Sequence, residues 1–126
     1  MRYLTADEII RIHDRIIART GGLSGVLSRA LVESAAGRPR ASYGGCEAYP
    51  TVWLRAAALI ESLAQDHAFV DGNKRTAWLV TVRFLARNGY TLRATPEDAV
   101  PFMLLVAQRQ LPLEQIAPWL ASRSGT

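Results

Sequence analysis

Apolar residues recur at helical spacing through most of this chain, and the runs are bounded by residues that start or stop helices. The first run is the clearest. Thr5 and Glu8 form the pattern of a capping box, and Leu4 and Ile9 stand where a hydrophobic staple would join them. Ile9, Ile10, Ile12, Ile16 and Ile17 keep the helical period until Gly21-Gly22 stops it. His13 falls inside this stripe, and a lone histidine there is read as hydrogen-bonded at the core edge, outside any site. A shorter helix is expected from about Ser28 to Ala36, followed by a glycine- and proline-punctuated loop or small hairpin from Gly37 to Pro50.

Pro50 or Thr51 opens a third helix, TVWLRAAALIESLAQ, apolar around most of its circumference and therefore expected to be central. WLVTVRFLARNGY ends on Asn88-Gly89, a left-handed cap signal. Thr95-Pro96 starts a further helix, and Pro112 opens a last one that reaches Trp119 and Leu120. The tail SRSGT is expected to fray. Trp53, Trp78 and Trp119 all lie on these helices, where core packing is their ordinary role. The expectation is an all-α fold, one domain over residues 1–126.

No apolar run reaches the roughly 18 residues of a membrane span, and the first residues lack the apolar core of a signal peptide, so a cytoplasmic protein is expected. The single cysteine, Cys46, excludes an internal disulfide and a thiolate metal site. A net charge of +4 allows an acidic partner, but no polybasic run demands one.

Between the third and fourth helices stands HAFVDGNKRTA, His67 to Ala77. The turn feeds a helix N-terminus, where free N–H groups and the positive end of the dipole make an anion site. Gly72 allows a tight turn and close approach of a ligand. Lys74, the only lysine, and Arg75 add positive charge in the first turn, against the dipole unless an anion sits there. The anion that suits this setting is a polyphosphate. Asp71 offers a hard oxygen to magnesium, Asn73 can donate to a phosphate oxygen, and His67 has the pKa range of a base toward a hydroxyl. Phe69 would anchor the turn in the core. Asp-Gly-Asn is also a good helix start by itself and Lys-Arg can be solvated surface, so these residues alone leave catalysis and plain turn chemistry both open.

The same eleven residues resemble the signature of the Fic/Doc superfamily, in its Doc (death-on-curing) branch. Gly21-Gly22-Leu23, Leu31 to Pro39, Tyr49-Pro50, and Phe84-Leu85 to Gly89-Tyr90 also resemble Doc-type chains. The resemblance implies a compact helical domain of about six helices with a short flap hairpin, for which Ser42 to Tyr49 is the candidate. It implies a toxin of a bacterial toxin–antitoxin pair using ATP and Mg2+. His67 matches the general base, Asp71 the metal ligand, and Gly72, Asn73 and Arg75 the phosphate-binding anion hole.

Adenylylating members of the superfamily usually carry glycine where this chain has Lys74 and a second arginine where it has Trp78. The resemblance therefore implies transfer of the γ-phosphate to a threonine of elongation factor Tu, with Lys74 contacting phosphate as a point charge. No glutamate here has Ser or Thr four residues earlier, as self-inhibited members do. Inhibition is thus expected from a cognate antitoxin whose C-terminal segment fills an apolar groove. Direct nucleic-acid binding and membrane association are not expected. Rival readings are an adenylyltransferase on the same fold, a small basic ribonuclease using His67 with Lys74 and Arg75, and an idle binding module.

Overall fold

A computed structural model describes all residues, Met1 to Thr126. Six helices carry the chain: α1 (Ala6–Thr20), α2 (Arg29–Gly37), α3 (Val52–Gln65), α4 (Asn73–Arg87), α5 (Pro96–Ala107) and α6 (Leu113–Ser122). The caps fall where the residue chemistry puts them. The side chains of Thr5, Ser28, Thr51 and Thr95 each accept a first-turn backbone N–H. At α1 the capping box is complete, because Glu8 also accepts the Thr5 N–H at 3.1 Å.

α3 is the axis of the molecule, packed against α4, α6, α5 and α2. Its alanines 56, 57, 58 and 64 are buried with Leu59, Ile60 and Leu63, and such small residues let neighbouring helices approach closely. One contiguous core of 24 buried residues joins these helices, from Leu4 and Ile9 to Ile116 and Leu120. The tryptophans serve this packing. Trp119 stacks on Phe102 at 3.6 Å between ring centroids, Trp78 meets both edge-on, and Trp53 lies 4.7 Å from Tyr90.

Two small ribbons complete the chain. β1 (Ser42–Tyr43) and β2 (Cys46–Glu47) form an exposed antiparallel hairpin turned by Gly44 and Gly45, both at positive φ. Its base is held by Arg55, which is buried on α3 and donates to the Tyr49 carbonyl at 2.8 Å and to Glu47 at 2.6 Å. The expected frayed tail is corrected here: β4 (Ser124–Gly125) pairs antiparallel with β3 (Thr91–Leu92). The Arg93 N–H extends that pairing to the Arg123 carbonyl, and Arg123 lies over the Trp119 ring. Backbone pairing and a cation–π contact hold the end that composition alone would leave loose.

Candidate active site

The segment between α3 and α4 is an irregular loop pinned from beneath. His67, which follows the Asp66 C-cap of α3, has φ 50°, an uncommon backbone for a residue with a side chain. Its imidazole is exposed and makes no hydrogen bond within the protein. The next two residues dive inward: Ala68 and Phe69 are buried. They pair with the loop that follows α1. Leu27 and Ser28 donate to the Ala68 carbonyl, Val70 donates to Gly25, and Val26 bridges Phe69 antiparallel. The functional loop is thus one edge of a short ribbon whose other edge comes from residues 25–28.

Asn73 closes the loop on itself. Its amide oxygen accepts from the Phe69 N–H at 3.1 Å and its amide nitrogen donates to the Phe69 carbonyl at 3.0 Å. The expected phosphate donor therefore first braces the turn, keeping one side-chain N–H and its backbone N–H unused within the protein. Gly72, at φ 73° and ψ 22°, is the N-cap of α4 and offers no side chain to cap it. The first helical bond runs from the Thr76 N–H to the Gly72 carbonyl, so the N–H groups of Asn73, Lys74 and Arg75 have no backbone acceptor. No acidic residue stands in this first turn. Three free donors at the positive end of a 15-residue helix are a site for a negatively charged group.

Asp71, half-buried, lies directly before this end. One carboxylate oxygen accepts the Gly72 N–H at 2.8 Å, and the other accepts the Leu23 N–H at 3.2 Å. The Leu23 N–H foremost, then that of Gly72, holds its carboxyl below the ordinary carboxylate range, with a smaller pull from Arg75. Asp71 is therefore ionised at neutral pH. Gly22 makes room for it: a Cβ there would stand 2.7 Å from the Asp71 oxygen. Arg75 is exposed and donates to the Thr20 hydroxyl at the end of α1; Lys74 is exposed and free of salt bridges. Sequence reasoning missed three contributors to this corner: Gly22, Leu23 and His13. Gly21-Gly22 has the signature of a helix stop and, with Leu23, a resemblance to Doc-type chains, but nothing in the local sequence joins Gly22 to a carboxylate 49 residues onward.

The donor set fits a magnesium-bound nucleotide. No cluster of three His, Cys, Asp or Glu side chains is present that would hold a metal unaided. Magnesium usually takes one or two protein carboxylates and fills its remaining positions with phosphate and water, which is what Asp71 beside an anion site provides.

The chain is similar to known proteins. The family model described as Fic/DOC family matches residues 3–85, from the start of α1 nearly to the end of α4. Toxin Doc of Mycolicibacterium smegmatis is 46% identical over 103 residues, covering 80% of this chain and 79% of that protein. Protein kinase doc of Escherichia phage P1 is 35% identical over 99 residues, covering 79% of this chain and 78% of its own.

Proposed function

The chain belongs to the Fic/Doc family, in its Doc branch, and on that premise we propose that it is the toxin of a toxin–antitoxin pair and a phosphotransferase acting on a protein hydroxyl. The observation that carries this reading is the bare, basic N-terminus of α4, with an ionised Asp71 directly before it and an exposed His67 in the loop that leads to it. ATP with magnesium, when bound, supplies the γ-phosphoryl group and leaves as ADP. Asp71 holds the metal, and the N–H groups of Asn73, Lys74 and Arg75 hold phosphate oxygens. The side chains of Lys74 and Arg75 offset the negative charge that builds as the phosphoryl group moves. His67 takes the proton of the incoming hydroxyl, and its exposed, unengaged ring suits a base that must meet a partner protein.

Trp78 supports transfer of phosphate over transfer of nucleotide. Its ring belongs to the aromatic cluster with Phe102 and Trp119, so no second arginine is available there to grip the distal phosphates. The hairpin β1–β2, exposed yet anchored through Arg55, suits a flap that aligns the target segment. For the target we infer a threonine of a translation factor such as elongation factor Tu. Leu23, Val26, Leu27 and Leu31, all exposed, lie along the ribbon and α2 beside the site and supply an apolar surface for an antitoxin segment. No helix is long and apolar enough to cross a membrane, in keeping with action in the cytoplasm.

The test is the intact mass of elongation factor Tu after incubation with the protein, ATP and magnesium, beside His67→Ala. A phosphate-sized gain that falls at least about 100-fold in the variant is expected. A nucleotide-sized gain would convert the reading to adenylylation, and RNA cleavage without ATP would convert it to a ribonuclease.

A further inference from the structure

We propose that His13, on α1, is a positioning residue that keeps the Asp71–Gly72 peptide turned so that the anion site stays formed. The inference rests on the phosphate-binding reading of that site and adds to it a residue far away in sequence. His13 is fully buried. Its ring lies flat on Phe69, with centroids 3.9 Å apart and planes 10° from parallel. Its Nε2 is 2.8 Å from the Asp71 carbonyl oxygen, which can only accept, so Nε2 carries the proton.

That bond fixes one end of a peptide unit whose other end, the Gly72 N–H, is held by the Asp71 carboxylate. Both ends need holding because of Gly72. Glycine accepts positive and negative φ almost equally, so the peptide before it can turn over with little steric resistance. A turned peptide would swing the Asp71 carbonyl toward the three free N–H groups of α4 and place a negative dipole where phosphate binds. It would also take the Gly72 N–H away from the carboxylate that it orients. With His13 in place, turning over strands a buried N–H donor.

Packing alone does not explain a histidine here. The rest of the inward stripe of α1 is isoleucine, and Ile9 and Ile16 on the same face are buried. His13 leaves its Nδ1 buried without a hydrogen-bond partner, the nearest Asp14 oxygen being 3.8 Å away. An aliphatic side chain would fill the volume with no orphaned nitrogen. What the imidazole alone contributes is the N–H on Asp71.

The experiment compares wild type with His13→Phe, which keeps the stacked ring and removes the donor, and His13→Gln, which keeps a donor at similar reach and removes the ring. Two readouts are taken: amide spectra of residues 71–75, with no ligand, and ATP–magnesium titration with transfer kinetics. His13→Phe is expected to shift or broaden the Gly72 to Arg75 amides and to raise KM for ATP at least tenfold, with kcat at saturating ATP less affected. His13→Gln is expected to recover most of both. Unmoved amides and unchanged KM in folded His13→Phe overturn the proposal, as does equal impairment of the two variants. If His13→Phe does not fold, His13→Gln decides alone: near-wild-type amides support the donor, and displaced ones overturn it. A wild type that neither binds ATP nor transfers phosphate overturns the kinase reading and leaves the amide comparison to judge His13.

Discussion

α1 and α4 are each 15 residues long, and they begin in opposite ways. α1 satisfies its own start: Thr5 and Glu8 cap it reciprocally, and Asp7 and Glu8 stand at the positive end of its dipole. Glu8 also reaches Arg87 at the far end of α4. α4 starts on a glycine, has no side-chain cap and places Lys74 and Arg75 where acids would be favoured. Of the remaining helices, α2, α3 and α5 carry Ser or Thr caps, and α6 has Glu114 in its first turn. The end of α1 is completed from within and contributes to the fold, whereas the end of α4 is left open and made more positive, as the proposed phosphate site requires.

The contrast can be broken at either end. The largest effect is expected at Gly72→Ala. A Cβ on a backbone at φ 73° costs about 1–2 kcal/mol, and it would stand 3.2 Å from the Ile17 side chain. Calorimetric titration should show ATP–magnesium binding weakened at least about tenfold, since small misplacements in a preorganised site are costly. Glu8→Gln should lower stability by about 1 kcal/mol in denaturant melts and leave ATP affinity unchanged.

Glu8 also predicts an acid limit. Its carboxyl is held at about 2 in the fold, chiefly by Arg87 and then by the Thr5 N–H, against an ordinary value of 4.5. A lowered folded pKa stabilises fully above the unfolded value, and that contribution drains away as pH falls through about 4.5 toward 2. Glu8→Gln should lack this part of the acid sensitivity. The smallest effect sharpens the contrast most. Lys74→Glu should raise the ligand-free stability by about 0.3–1 kcal/mol, because an acid suits that end of the helix, while weakening ATP binding. A variant that lost both would show that Lys74 supports the fold.

Six helices were legible in the sequence because their signals are local. Thr5, Thr51 and Thr95 announce starts, and Asn88-Gly89 announces a stop, within a few residues of the structures they control. The placement of His67, Asp71 and Lys74 in one turn before and into α4 was legible for the same reason: they are contiguous. What sequence could not supply is the support beneath it. His13 meets Asp71 across 58 positions and Leu23 meets it across 48, and neither contact follows from a period or a cap. The bonds by which Asn73 also braces Phe69 depend on a loop shape that no local pattern specifies. The β3–β4 pairing escaped because two-residue strands are too short to alternate.

The ribbon between residues 25–28 and 68–70 makes the candidate site discontinuous in the chain. Residues 67–77 carry the whole signature yet do not hold themselves in place. A fragment beginning at α3 would keep the signature and lose the N–H on Asp71, the strand beside Phe69 and the room left by Gly22. During synthesis, the contacts of His13 and Leu23 with Asp71 can form only after residues 67–77 have joined the chain made before them. The exposed Gly44–Gly45 turn falls between the two edges of that ribbon, so a cut there would leave residues 25–28 and residues 68–70 on different pieces of chain.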